Sequence, residues 1–326
     1  MRSLLQTLAF AALVVVLGTP SAAQTAPPAA LTEVTYANLG RSSGEWPLYI
    51  ADHEGFFRDE GIKLTIVPFN GPQDVANAVA SKSVDLGDVQ TDTGIDAIAH
   101  SLDIRIIAPA LTTVPYRLLV LPTITSWPQL KGVTISLGSR NGSTILAYKR
   151  LLKAHKVDDG DFSIMVAGNS SLRLAALKSR QVQATMLAQP YDFLAQSQGM
   201  RVMADSSEVM GKDWVFAAIL ANNAWATANR ATVVRFLRAY RRAIDFAYAH
   251  RGEAVAILAP IVNVDRDTAE KTYDLTFAKW RGFDPKLRIA PAALLAMSRA
   301  LVDFGNIAKV PAVGDMYDGS YAAAAR

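Results

Sequence analysis

From residue 31 onward, apolar positions alternate between short β-rich runs and stretches of helical period. Residues 34–39 form a β-rich run ending at Gly40. Pro47 then occupies a first helical position, with Glu45 just ahead and stops at Gly55 and Gly61. Strands are predicted at 63–69, 84–87 and 104–108, separated by helices over 73–82 and 96–102. A second series places strands at 133–137, 162–166 and 182–187, with helices over 143–155 and 171–178 between them. Strands joined by single helices are the pattern of parallel βαβ units. The two series also share a short repeat. Ala80-Ser81-Lys82-Ser83-Val84-Asp85 aligns with Lys178-Ser179-Arg180-Gln181-Val182-Gln183, serine and valine recurring at equal spacing.

The last third is helical in period. Val233, Leu237, Tyr240, Ile244 and Ala247 share one helix face, and Leu294, Met297, Leu301 and Phe304 share another, ending at Gly305. Both stripes read as core. The dense basic group, Arg235, Arg238, Arg241 and Arg242, lies on the polar side of the first helix and reads as a solvated face, not a nucleic-acid patch.

With 326 residues, 51% of them apolar, the chain has material for two cores, since single cores stop growing near about 250–300 residues. It has no cysteine, which excludes a disulfide framework, a thiolate nucleophile and Cys-based metal sites. The N-terminus reads as an export signal over residues 1–23: Arg2 is the positive segment, 8–17 the apolar segment, Pro20 a break, and Ser21-Ala22-Ala23 a small-residue cleavage site. Ten apolar residues are too few to span a bilayer comfortably. Residues 24–30, with two prolines, are expected to form a mobile arm, and the expected location is the periplasm.

Three stretches together resemble the nitrate/sulfonate/taurine and thiamine-precursor (NMT1-like) branch of periplasmic binding proteins. Residues 47–62 (PLYIADHEGFFRDEGI) are similar to that family's "A…GFF…EGL" helix and turn. Residues 80–87 (ASKSVDLG) resemble its "L-x-S-G-x-V-D", and 130–135 (LKGVTI) its "L-K-G-K-x-V" entry to the second lobe. Lys82 and Arg180 stand where the family usually has glycine, and Gln183 where it often has aspartate. The resemblance implies an α/β type II periplasmic-binding-protein fold, with two lobes joined by two crossing segments. Lobe one would comprise 31–114 and 220–326, and lobe two 115–219, with crossings near 109–117 and 217–222.

In such a fold the ligand lies between the lobes, at the carboxyl ends of the strands, as in open α/β sheets generally. The loops after predicted strands therefore supply the candidates. After the first strand come Ser42, Ser43 and Trp46; Trp46 would either stack on a planar ligand or anchor a plain turn in the core. In the second lobe Ser139, Arg140, Asn141, Ser143 and Thr144 precede a helix, where hydroxyls and the helix N-terminus suit an anion or simply cap the helix. Further candidates are Asn70, Gly71, Gln90, Thr91, Asp92, Gln189, Tyr191 and Trp214. Arg41, Arg117 and Arg140 are the basic side chains placed near the cleft; one of them would pair bidentately with an anion, or each is simply an exposed surface arginine.

Enzyme signatures are lacking. The four histidines, His53, His100, His155 and His250, are far apart and follow no metal-binding spacing. There is no G-x-S-x-G elbow and no dinucleotide fingerprint. The fold's pyrimidine-forming enzymes depend on a Cys-rich motif. The expectation is therefore a non-enzymatic, monomeric receptor without cofactor or metal: it would capture a small organic anion, a sulfonate or carboxylate, and deliver it to an ABC permease in the inner membrane. A pyrimidine or other thiamine-precursor heterocycle is the alternative, with Glu45 and Asp92 available to bind it, as is a periplasmic sensory role.

Overall fold

The computed structural model describes residues 30–140, 142–158, 160–211 and 214–326. The expected export signal, nearly all of the arm, and Asn141 lie outside the described residues. Among the described residues there are ten strands, β1 (Thr32–Asn38), β2 (Ile62–Pro68), β3 (Leu86–Gln90), β4 (Ile104–Leu111), β5 (Arg117–Val120), β6 (Thr134–Leu137), β7 (Ser163–Val166), β8 (Ala184–Leu187), β9 (Arg201–Asp205) and β10 (Ala217–Asn222). They form two five-stranded sheets, ordered β2-β1-β3-β10-β4 and β7-β6-β8-β5-β9. The first takes its strands from 32–111 and 217–222, the second from 117–205.

The sheets share one topology. Each has parallel βαβ units (β1 with β2 and β3; β6 with β7 and β8) and one antiparallel strand in fourth place, β10 or β5. Each antiparallel strand follows directly on a passage from the other sheet. Residues 217–222, expected as a crossing, are thus a wholly buried strand, β10. Its run of alanine, isoleucine and leucine has two covered faces, which is how the middle strand of a layered sheet reads. The passages between sheets are 112–116 and 206–216.

The internal repeat has a structural basis. Lys82 and Arg180 both adopt left-handed backbone, at φ 62° and 57°, just after the Pro72–Ala80 and Ser170–Lys178 helices. Three residues on, the Asp85 carboxylate accepts from Thr35 N–H at 2.7 Å, and the Gln183 side-chain oxygen accepts from Thr134 N–H at 2.9 Å. The amide keeps the acceptor that the join between helix and sheet requires, so the exchange of aspartate for glutamine leaves this joint intact.

Apolar packing is continuous across both halves. One large buried cluster includes Leu86 and Ile106 of the first sheet and Ile135 and Met186 of the second, while Leu119, Leu174, Leu177, Val182 and Leu187 form a smaller one. The expected two separate cores are joined because the passages are themselves apolar: Val114, Tyr116, Trp214, Val215 and Phe216 are buried. Tyr116 of one passage and Phe216 of the other meet edge to face at 5.2 Å.

The helices after β10 pack on the first half. Val233, Leu237, Tyr240, Ile244 and Ala247 are buried as their spacing predicts, and Phe236 stacks on Tyr36 and Phe57. In the second stripe Leu294, Met297 and Leu301 are buried, but Phe304 is exposed because the helix ends at Asp303 and Gly305 turns the chain at φ 74°. The basic group is not merely solvated. Arg235 donates to Glu60 O, Arg238 pairs with Glu60 at 2.8 Å and Arg242 with Asp59 at 2.9 Å, tying the helix to the turn before β2. The four histidines are exposed at helix ends. No helix among the described residues is long and apolar enough to cross a membrane.

Candidate functional site

A cleft opens where the carboxyl ends of the parallel strands of both sheets face one another. Its atom-free space, counted together with the solvent it opens to, is about 860 Å³. The two passages form part of its lining through Tyr116 and Phe216.

The wall on the first sheet is acidic. Glu45, from the loop after β1, lies against Asp88 in the middle of β3. Burial pushes both carboxyls up, Asp88 to about 6, while hydrogen bonds from Glu45 and Tyr36 hold Asp88 lower than burial alone would. Two buried carboxyls in contact cannot both ionise cheaply. Glu45, raised further by the neighbouring charge, keeps the proton and Asp88 carries the charge. Asp92, at the start of the Thr91–Ala99 helix, is 2% exposed. Burial raises it to about 6, against the lowering influence of the facing Ser143 hydroxyl and nearby backbone N–H groups.

The wall on the second sheet is built from helix N-termini. Ser143 and Thr144 open the Ser143–Ala154 helix, and Ser170 and Ser171 open the Ser170–Lys178 helix, which Asn169 caps by accepting from Leu172 N–H. Each terminus presents free N–H groups and a partial positive charge. Arg173 lies on the buried face of the second helix. Its guanidinium donates to Met186 O, Gly168 O and Ser170 Oγ and lies 5.4 Å from the Tyr116 ring centre. Its cationic charge is therefore fixed in the wall with full backbone support.

Of the sequence candidates, Ser42, Gln90, Asp92, Ser139, Ser143, Thr144 and Tyr191 line this cleft together. The others lie elsewhere. Trp46 is fully buried and stacks on Phe277 at 5.9 Å, so it anchors its turn in the core and has no surface to offer a ligand. Ser43 and Thr91 are also fully buried; Ser43 N–H donates across to Gln189 O at 2.9 Å and Thr91 N–H to Phe216 O at 2.8 Å. Gln189 is buried and donates to Asp192, which also pairs with Arg117 at 3.1 Å, so Arg117 serves a structural bridge. Trp214 is buried, with the Arg150 guanidinium 5.5 Å from its ring centre. Asn70, Gly71 and Arg140 line grooves outside the cleft proper, and Arg41 donates to Ile261 O. A loop position after a strand does not reveal which way its side chain turns.

Asp88 and Arg173 were not singled out from the sequence, though each leaves a trace there. Asp88 is the single charge within the short, buried strand Leu86–Gln90. Arg173 shares the i, i+3, i+4, i+7 spacing of Ser170, Leu174 and Leu177, which puts an arginine on a core-facing stripe.

The two halves touch around the cleft. Besides the bond from Ser43 to Gln189, Asn169 Nδ2 lies 3.5 Å from Asn70 Oδ1. A β-carbon built on Gly168, at φ 64°, would lie 2.5 Å from Asn70 O. The geometry is that of a closed clamp. Among the described residues no group of three His, Cys, Asp or Glu side chains is placed to hold a metal.

Comparison with known proteins agrees with this architecture. The "Putative binding protein YtlA" of Bacillus subtilis is 24% identical over 263 residues, 78% of each chain. A 4-amino-5-hydroxymethyl-2-methylpyrimidine phosphate synthase of Aspergillus parasiticus is 25% identical over 232 residues, 64% of each chain. Among solved structures, the ligand-binding component of an ABC-type import system from Staphylococcus aureus superposes with a TM-score of 0.77 at 15% identity, covering 90% of this chain and 99% of that one. The periplasmic aliphatic sulphonate-binding protein SsuA of Escherichia coli gives 0.67 at 18% identity, covering 87% and 91%. These likenesses establish the periplasmic-binding-protein fold expected from the sequence motifs. Residues 44–254 match the profile of the NMT1/THI5-like family, and the chain belongs to that family.

Proposed function

We propose that the protein is an exported solute receptor of an ABC importer, which closes its two halves on a small organic solute and presents the closed form to a membrane permease. The observation that carries this reading is the cleft itself, lined from both sheets by polar groups at strand ends and helix N-termini. A ligand touching both walls adds contacts absent when the halves part, and so shifts the population toward closure. Inverting a 1:99 equilibrium takes a differential affinity of roughly 5.5 kcal/mol.

The second wall suits an anionic end, a sulfonate or carboxylate, because two helix N-termini and the buried Arg173 converge there. The likeness to a sulphonate-binding protein supports the same reading. The synthase name among the relatives favours chemistry less than binding here, since the chain has no cysteine to supply the Cys-rich motif tied to pyrimidine formation. Titration calorimetry against sulfonates, carboxylates and pyrimidines tests the proposal. One-to-one binding with a negative heat-capacity change and unchanged ligand is the expected outcome. Turnover of a bound compound, or an absence of binding across a broad nutrient set, would refute it.

A further inference from the structure

The sheet orders put the mouth of the clamp at the end farthest from the passages. Those passages leave from β4, β10, β5 and β9, which close one end of each sheet. The strands at the opposite ends, β2 and β7, stand roughly 14–19 Å away, at about 4.8 Å per strand. Rotation about the passages therefore moves the loops after β2 and β7 further than any part of the cleft nearer the hinge. Those are the loops that meet: Asn169 Nδ2 lies 3.5 Å from Asn70 Oδ1, and Gly168 closes on Asn70 O. Along the outside of this seam runs a groove with one wall from each half. Asn70, Gly71 and Asp74 form the first, and the end of β7 with the Ser170–Lys178 helix forms the second. Val166 and Leu172 line it at 49% and 44% exposure, two of the four large apolar side chains exposed among the described residues. Neither packs into an apolar cluster, and Leu172 lies off the buried stripe of its helix, Arg173, Leu174 and Leu177. Folding therefore gives no reason for an apolar side chain at either place. Asp74 is the one charged side chain in the lining; it is exposed and pairs with no cation among the described residues.

From this we infer that the groove across the mouth is a docking site for the membrane permease. Its occupant is a periplasmic segment of the permease that seats an apolar side chain between Val166 and Leu172 and sets a lysine or arginine against Asp74. The inference rests on the receptor reading above and gives that reading a surface. Opening the clamp draws Asn70, Gly71 and Asp74 away from Val166 and Leu172, so the groove is dismantled where the two forms differ most. A segment that needs both walls binds the closed form in preference to the open one, and that differential affinity is what lets a partner read closure. The apolar pair supplies contact area, while the carboxylate at the rim steers and orients a basic partner. A second copy of this chain is the competing occupant, and the test separates the two.

The test places the photo-crosslinker p-benzoylphenylalanine at Val166 of the full chain, expressed in its own host, and identifies linked peptides by mass spectrometry. The expected link is to a periplasmic segment of a multi-spanning ABC permease, with a lysine or arginine within a few residues of it. Leu172→Glu, which puts an unpaired charge into the apolar contact, should lower the yield about tenfold or more. Asp74→Asn, which removes one exposed ion pair, should lower it about two- to fivefold. Both positions are exposed and outside the cleft, so calorimetric affinities for the sulfonate, carboxylate and pyrimidine set should stay within about twofold of the natural chain's. Four results would overturn the inference while the solute receptor stands: no link at Val166, a link to a soluble protein, a link to a second copy of this chain, or a yield that neither variant changes. A natural chain that binds no solute at all fails the receptor reading, and this inference with it.

Discussion

Asp92→Asn should make the ligand-free protein more stable at neutral pH and remove part of its pH dependence. The Asp92 carboxyl titrates at about 6 in the folded chain, against 3.8 for the ordinary group, because it is buried. A raised carboxyl pKa means that the folded state binds more protons than the unfolded one between these values. Stability is therefore present at low pH and falls as pH rises through about 4 to 6. Taking both values, the loss between pH 5 and 7.5 is about 1 kcal/mol from this group alone, and about 3 kcal/mol across the whole window. Around it lie Asp96 one turn along, Arg173 and Tyr116 in the cleft lining, and the Ser143 helix terminus. Asp88 and Asp192, both raised by burial, act in the same direction, so the comparison must be between D92N and the natural chain. Glu33, held down by Lys63, and Asp265, held down by Thr268, are shifted the opposite way and are common to both proteins. The stability difference between pH 5 and 7.5 should be smaller by about 1 kcal/mol in D92N, or roughly 2–4 °C in midpoint. Equal slopes in the two proteins would refute the assignment of a buried, strained carboxylate at this position.

Replacing the exposed Lys82 or Arg180 by glycine should stabilise the fold by about 0.5–1 kcal/mol each in urea, because both hold left-handed backbone that a side chain disfavours; a loss of stability would contradict that geometry. Trp46→Ala should cost about 3–5 kcal/mol, since the ring is fully buried against Phe277; a cost below about 1 kcal/mol with lost binding would return Trp46 to the ligand site. Gly168→Ala should weaken solute binding tenfold or more by calorimetry, because its β-carbon would meet Asn70 O when the halves close; unchanged affinity would show that the closed contact is not used.

The parallel units were legible because their strands are short β-branched or aliphatic runs closed by turns, as in Thr32–Asn38 and Ile62–Pro68. The antiparallel strands β5 and β10 and the edge strand β9 were not. β5 and β9 are four and five residues long, and β10 is mostly alanine and leucine, which suits a helix as well as a strand. Their pairing is long-range and leaves no local signature. At the site, hydroxyls beside helix N-termini were legible because the loop after a strand must face the cleft edge. Ser43 and Gln189 turned inward because the two halves share a backbone bond there, and Thr91 because its N–H extends the β3–β10 ladder to Phe216 O. Asp88 and Arg173 escaped because a charge on a buried face has meaning only once its surroundings are known. The likeness of the two sheets, by contrast, was already written in the paired Ser-x-x-Val segments, whose left-handed Lys82 and Arg180 end equivalent helices.

The most direct test of the clamp is a crystal structure of the protein with the solute that copurifies or binds most tightly. The account predicts that molecule between the sheets, touching Asp88 or Asp92 on one side and Ser143, Ser170 or Arg173 on the other. A solute seated in an outer groove, or contacts confined to one sheet, would contradict it.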